Sequence, residues 1–315
     1  MKSTNLSPGW ADSLLDCRAR SRTSPTARIS ATSARRSGQR DGRDEGGSRR
    51  FGSRCAGQIA CRLPSNVSRV LAGSLADIVF TDPPYNVAYQ GTAGKHRAIA
   101  NDALGSEFGA FLEQACRGML SVTKGALYIC MSSSEIDTLK RAFQAAGGHW
   151  STFVIWSKSA FTLGRSDYQR QYEPILYGWP EGNRHYWCGA RDQGDVWSYE
   201  KPRSNDLHPT MKPVALVERA IRNSSKSRDT ILDPFAGSGT TLMAAEATGR
   251  RATLIELDPR YCDVIVRRWQ EGTGQVATLD GDSRSFEQIA ADRGAPCPFD
   301  VADPAVPIPM QSHRQ

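Results

Sequence analysis

Three things are scarce in this 315-residue chain, and each scarcity removes a class of protein. The eight cysteines form no Cys-x-x-Cys pair, which argues against a zinc centre or a disulfide framework and for free thiols in a reducing cytoplasm. No metal is expected. No apolar stretch approaches the roughly 20 residues that span a bilayer, and the amino terminus has no signal-peptide core; the expectation is a soluble, cytoplasmic protein with no membrane partner. Charge of one sign is also missing from most of the chain. The net +7 lies wholly in the first sixty residues, where 12 Lys+Arg stand against 5 Asp+Glu; the remainder holds 28 of each. The basic balance therefore says nothing about whether the folded part binds nucleic acid.

What is present begins with a leader, 1–65, rich in Ser, Arg, Gly, Ala and Thr and without sustained apolar periodicity. Most of it is expected to be disordered, either as a flexible basic arm or as a non-native leader. Organised sequence starts near residue 66 and runs to about 290, followed by a loose proline-rich tail, 291–315. Buried strands are predicted at 75–80, 126–131, 152–156, 173–177, 230–232 and 252–255. Helices are predicted at 107–120, from Ser134 as cap to Gly147-Gly148, and at 213–223, 239–248 and 260–269. Strand and helix alternate, so the fold class is α/β. A polar, glycine-rich stretch from Asn86 through Tyr89 to His96 reads as a mobile loop. Ten aromatics between Trp156 and Tyr199, interleaved with Lys and Arg, mark about 159–205 as an insertion suited to unpaired bases and phosphates, or as a loop layer over the sheet.

Two stretches carry chemistry. In the first, the apolar run to Phe80 ends in Asp82-Pro83-Pro84-Tyr85, which places a carboxylate, a ring and two carbonyls at the carboxyl edge of a buried strand. Such a set can accept both hydrogens of an exocyclic amine and stack on its heterocycle; a rigid turn is the plainer reading. In the second, Asp233-Pro234-Phe235-Ala236-Gly237-Ser238-Gly239-Thr240-Thr241 joins a strand to a helix, with glycines that let a ligand approach the backbone. Glu256, at the end of the next strand, can accept both hydroxyls of a ribose. No lysine follows the glycines, so this is not a Walker-type phosphate loop. Asp233 and Asp258 would repel a pyrophosphate and favour a sulfonium, which points to S-adenosylmethionine over NAD or ATP.

Asp-Pro-Pro-Tyr followed about 150 residues later by Asp-Pro-Phe-Ala-Gly-Ser-Gly-Thr-Thr resembles the β-class amino-group (adenine-N6/cytosine-N4) DNA methyltransferases, and in particular the methylase half of partition-protein-like/methylase fusions. His208-Pro209-Thr210-Met211-Lys212-Pro213 resembles that family's further cofactor motif. The resemblance runs from about Asp77 to Trp269. It implies a Rossmann-like S-adenosylmethionine-dependent methyltransferase fold, a mostly parallel seven-stranded sheet with one antiparallel strand. The family's usual Gly-Asp pair before the catalytic strand has no counterpart in Arg62 to Arg69, with Gly281-Asp282 as a substitute.

The resemblance implies methyl transfer to N6 of an adenine flipped from double-stranded DNA, with Asp82, Pro83, Pro84 and Tyr85 as the catalytic set. Cofactor binding falls to Asp233, Phe235, Gly237, Ser238, Gly239, Thr240, Glu256 and Asp258, with His208, Thr210, Lys212 and Pro213. Asn86, Lys158, Arg165, Arg170 and Arg203 are candidate DNA contacts, with solvated surface charge as the alternative. Cytosine-N4 methylation, and a degraded DNA-binding relic, are the competing readings. A homodimer and a cognate restriction endonuclease are partners left open.

Overall fold

The strand that ends just before Asp82 lies at the middle of a mixed sheet, covered on both faces. In this computed structural model the described residues are 16–19, 27–31, 66–87, 102–162, 167–200, 211–279 and 284–292. Their strands, in chain order, are β1 (Asp16–Ala19), β2 (Ala27–Ala31), β3 (Ile78–Thr81), β4 (Leu127–Cys130), β5 (Gly148–Thr162), β6 (Arg170–Pro180), β7 (Val196–Ser198), β8 (Thr230–Asp233), β9 (Arg251–Glu256) and β10 (Ala277–Leu279). The helices are α1 (66–70), α2 (Phe108–Leu120), α3 (Ile136–Ala145), α4 (Val214–Ser224), α5 (Thr240–Ala247), α6 (Pro259–Thr273) and α7 (Phe286–Asp292).

The sheet order is β10-β1-β2-β9-β8-β3-β4-β6-β5-β7. Its central seven strands, β2 to β5 in that order, are parallel except β6, which runs against both β4 and β5. This is the mostly parallel seven-stranded Rossmann-like arrangement with one antiparallel strand. Three short strands, β10, β1 and β7, extend its edges.

Every residue of β3 is buried, which explains a run without polar alternation. Ile78 and Phe80 face a core built with Leu216, Val217 and Ile221 of α4, Leu242 of α5 and Trp269 of α6. Val79 faces the opposite core, with Phe108, Phe111 and Leu112 of α2 and Leu139 and Phe143 of α3. Each such side chain contributes about 1.5–3 kcal/mol on burial, so β3 is fixed in height and cannot slide the Asp82 turn.

The leader contributes two short strands, and one helix start is corrected. Within the leader, β1 and β2 enter the sheet, β2 pairing in parallel with β9 from Arg28↔Thr253 to Ala31↔Glu256. A short strand needs no apolar periodicity of its own when the partner strand is already anchored. The rest of the leader lies outside the described residues. Against the expectation that Ser134 caps a helix, α3 begins at Ile136 after Glu135, with no side-chain cap, and the Ser134 hydroxyl meets that of Ser132 at 2.8 Å. The Ser134 hydroxyl is turned to this local partner, and the first turn of α3 receives no side-chain cap. The expected loop through Tyr89 to His96, the Gly281-Asp282 pair and the tail beyond Asp292 lie outside the described residues.

Candidate active site

β3 and β8 are adjacent and parallel, with Ile78↔Ile231 and Val79↔Leu232 in register. The Asp82 turn and the glycine turn therefore leave the same edge of the sheet side by side, where open α/β sheets hold ligands. Asp233 stitches the two turns together. Its oxygens accept from the Thr81 hydroxyl (2.7 Å), the Thr241 hydroxyl (2.7 Å) and the Phe235 N–H (3.1 Å). Burial pushes this carboxyl up to about 6 against those hydrogen bonds. Asp233, a candidate cofactor contact, thus has its carboxylate engaged by protein groups.

The glycine turn is shaped by its backbone. Gly237 and Gly239 take φ of 53° and 77°, the left-handed region that L side chains avoid, and a Cβ on Gly239 would stand 2.9 Å from Ile265 Cγ2. Ser238 and Thr240 are buried, and Arg268 of α6 donates to the Ser238 carbonyl (3.0 Å) and the Thr240 hydroxyl (3.2 Å). Phe235, half-buried, meets Phe111 edge-on with ring centroids 6.1 Å apart. Arg268 is not legible as a site residue in the sequence, because one arginine among the several of α6 has no local signature.

Glu256 ends β9 beside this turn. Oε2 accepts from Gly237 N–H (2.7 Å) and Oε1 from Asp258 N–H (2.9 Å). Each carboxylate oxygen can accept a second bond, so the pair remains suited to a diol. Burial raises the carboxyl to about 7, opposed by the backbone bonds. Asp258, a candidate cofactor contact, caps α6 through the Arg260 N–H (3.0 Å) and pairs with the Arg260 guanidinium.

At the Asp82 turn the structure gathers more than the motif. Tyr85 N–H donates to Asp102 Oδ1 (2.8 Å), and Asn86, at φ 59°, accepts at Oδ1 from the N–H groups of Leu104 and Gly105 (2.8 and 2.9 Å) while its amide reaches Glu135 (3.2 Å). Asn86, a candidate DNA contact, ties the turn to the segment before α2, and asparagine tolerates that backbone. Pro83 is buried and Pro84 half-buried in the turn.

Behind the turn lies a four-charge cluster. The Lys212 ammonium, 5% exposed, stands 2.6 Å from Asp82 Oδ2, 2.7 Å from Glu173 Oε1 and 2.9 Å from the Tyr85 hydroxyl. Tyr85 OH also contacts Asp82 Oδ1 and Glu173 Oε1, the latter at 2.5 Å, and Lys158 closes the set 2.7 Å from Glu173 Oε2. Burial raises the Asp82 carboxyl, with Lys212 opposing it and Glu173 adding to it. Glu173 is lowered to about 2: burial works against its charge, and the attraction of Lys212 and Lys158 together exceeds it. Lys212 is raised, its desolvation outweighed by the two carboxylates.

Sequence reading places Glu173 only as part of a strand and misses its role here. Lys158, a candidate DNA contact, turns its charge to Glu173; Lys212, a candidate cofactor contact, turns its own to Asp82, just before Pro213 sets the start of α4. Arg170 is exposed and reaches the Ser132 hydroxyl at 3.4 Å. His208, Thr210, Arg165 and Arg203 lie outside the described residues. Among the described residues, no cluster of potential metal ligands is found and no helix is long and apolar enough to cross a membrane.

Fold and site define an α/β protein of Rossmann-like architecture whose catalytic-type carboxylate and glycine turn share one sheet edge. The profile of the DNA methylase family (N6_N4_Mtase) matches residues 76–267, and the chain belongs to that family. It is 25% identical over 277 residues to the type II methyltransferase M.HpaI of Haemophilus parainfluenzae, covering 79% of this chain and 82% of that protein. It is 28% identical over 256 residues to the DNA adenine methyltransferase YhdJ of Escherichia coli K12, covering 70% and 84%. The crystal structure of an M1.HpyAVI–SAM complex superposes with a TM-score of 0.53 at 21% identity, over 67% of this chain and 95% of that one.

Proposed function

We propose that this protein transfers a methyl group from S-adenosylmethionine to the exocyclic N6 of an adenine flipped out of double-stranded DNA. The observation that carries the reading is the placement of Asp82 one strand away from the Gly237–Gly239 turn, at the carboxyl edge of β3 and β8. Support comes from the Glu256 carboxylate beside the Gly237–Gly239 turn, placed to accept from a diol, and from relatives named as type II and adenine methyltransferases. Glu256 would hold the ribose hydroxyls, and the Gly237 and Gly239 backbone would lie against the nucleoside. When bound, S-adenosylmethionine supplies an electrophilic methyl on a positively charged sulfur.

The chain's own residues then act on the amine. Its lone pair is delocalised into the ring, and hydrogen bonds to Asp82 and the Pro83 carbonyl draw the nitrogen toward tetrahedral geometry. They also stabilise the positive charge that develops there. The Tyr85 ring offsets part of the few kcal/mol that unstacking costs. The β5–β6 hairpin presents the exposed Phe161, Tyr168 and Tyr172 beyond the site; with Arg170 these suit unpaired bases and backbone phosphate.

The test is incubation with labelled S-adenosylmethionine and DNA, followed by digestion to nucleosides. Label in N6-methyladenine is the expected result. Label in N4-methylcytosine moves the reading to the cytosine enzyme, and none at all rejects it.

A further inference from the structure

The Lys212 ammonium has three hydrogens and three acceptors, on Asp82, Glu173 and Tyr85, all within 2.9 Å. It engages Oδ2 of Asp82, while Tyr85 OH engages Oδ1. A base amine that approaches Asp82 therefore competes with one of these two contacts for the carboxylate. A displaced, buried ammonium must find another negative partner, because an unpaired charge in that pocket is very costly. Glu173 is already that partner, at 2.7 Å, and is itself held from its other oxygen by Lys158 at 2.7 Å.

We propose that Glu173 is a positioning residue for the transfer: it anchors Lys212 so that the ammonium can withdraw from Asp82 when the amine enters and return when the product leaves. Lys212 is shared between two carboxylates, and Lys158 sets how strongly Glu173 competes for it. β6 makes this possible, because it carries Glu173 antiparallel to β4 into the edge where β3 ends. The opposed tendencies of the two carboxyls agree, Asp82 being the more weakly held of the pair.

The inference rests on the methyl-transfer reading, and its test separates the two. The Asp82 carboxyl is titrated by carbon-13 NMR in the full chain without DNA or cofactor. Glu173→Gln leaves Lys212 to Asp82 alone, and the Asp82 midpoint is expected to fall. Lys158→Met frees Glu173 to draw Lys212 away, and the midpoint is expected to rise. A stationary midpoint in both variants, or movement in the same direction, overturns the proposal. In turnover, Glu173→Gln is expected to lower kcat on the order of a hundredfold, as misplaced reacting groups do, with the acid limb of the kcat profile shifted to lower pH and the KM for S-adenosylmethionine unchanged. Glu173→Asp is expected to recover part of kcat. A kcat within twofold of wild type in Glu173→Gln also overturns it. Absence of methylation by the wild-type chain rejects the function, while the NMR titration still decides the anchoring.

Discussion

At the scale of single residues the site separates two kinds of carboxylate. Asp82 keeps contacts that a substrate can exchange, whereas Asp233 is closed in by Thr81, Thr241 and the Phe235 N–H. Asp82→Ala is expected to abolish methyl transfer while leaving cofactor affinity nearly unchanged by calorimetry; full turnover would remove Asp82 from the mechanism. Glu256 titrates near 7, and only its ionised form accepts two hydroxyls. Cofactor Kd should therefore rise as pH falls from 8 to 6, approaching tenfold per pH unit below the midpoint, and Glu256→Gln should bind weakly with no such slope. A flat profile in the wild type would separate Glu256 from the ribose. For Asp233 the native state favours the proton, since its carboxyl is raised to about 6. The stabilisation is complete below the ordinary aspartate range and is lost as pH rises through about 6. The gap between the native and unfolded midpoints corresponds to about 3 kcal/mol at low pH. Urea midpoints of the wild type should fall between pH 5 and 7.5, and less steeply in Asp233→Asn.

At the scale of elements, the glycine turn and the long hairpin each carry a feature whose role a substitution can test. Gly239 combines positive φ with Ile265 packed where a Cβ would go. Gly239→Ala should destabilise the protein by about 1–3 kcal/mol and weaken cofactor binding more than it alters the unfolding transition elsewhere; equal stability in urea would show that the turn can relax. The β5–β6 hairpin carries Tyr168 at 93% exposure and Phe161 at 58%, which a fold-stabilising role does not explain. Replacing both by alanine should weaken binding to single-stranded or mismatched DNA by about 1–3 kcal/mol per stacking base lost, with thermal stability unchanged. An unaltered DNA Kd would return these rings to the role of surface aromatics.

At the scale of the whole molecule, β2 covers the edge of β9, the strand that delivers Glu256. Removal of residues 1–60 is expected to lower Tm and to weaken cofactor binding together, because an uncovered β9 is free to fray at its carboxyl end. Unchanged values of both would show the leader to be dispensable. The two motif turns are legible in the sequence because each is written locally: an apolar run halted by Pro-Pro, and a strand leading through two glycines into a helix. Most helix positions follow from periodicity for the same reason. The leader strands are not legible, since their pairing depends on a partner more than 200 residues away rather than on any pattern of their own. Nor are the roles of Asp233, Asp258 and Asn86, whose side chains can face ligand or protein from the same position in the chain. Sequence alone determined that a carboxylate and a glycine turn would sit at strand ends. Only the tertiary structure decided that Glu173 and Lys212, 39 positions apart and on different elements, would meet behind Asp82. The reason is that an antiparallel strand entering a parallel sheet brings its charges to the edge where Asp82 sits through long-range pairing, which no local run of residues encodes.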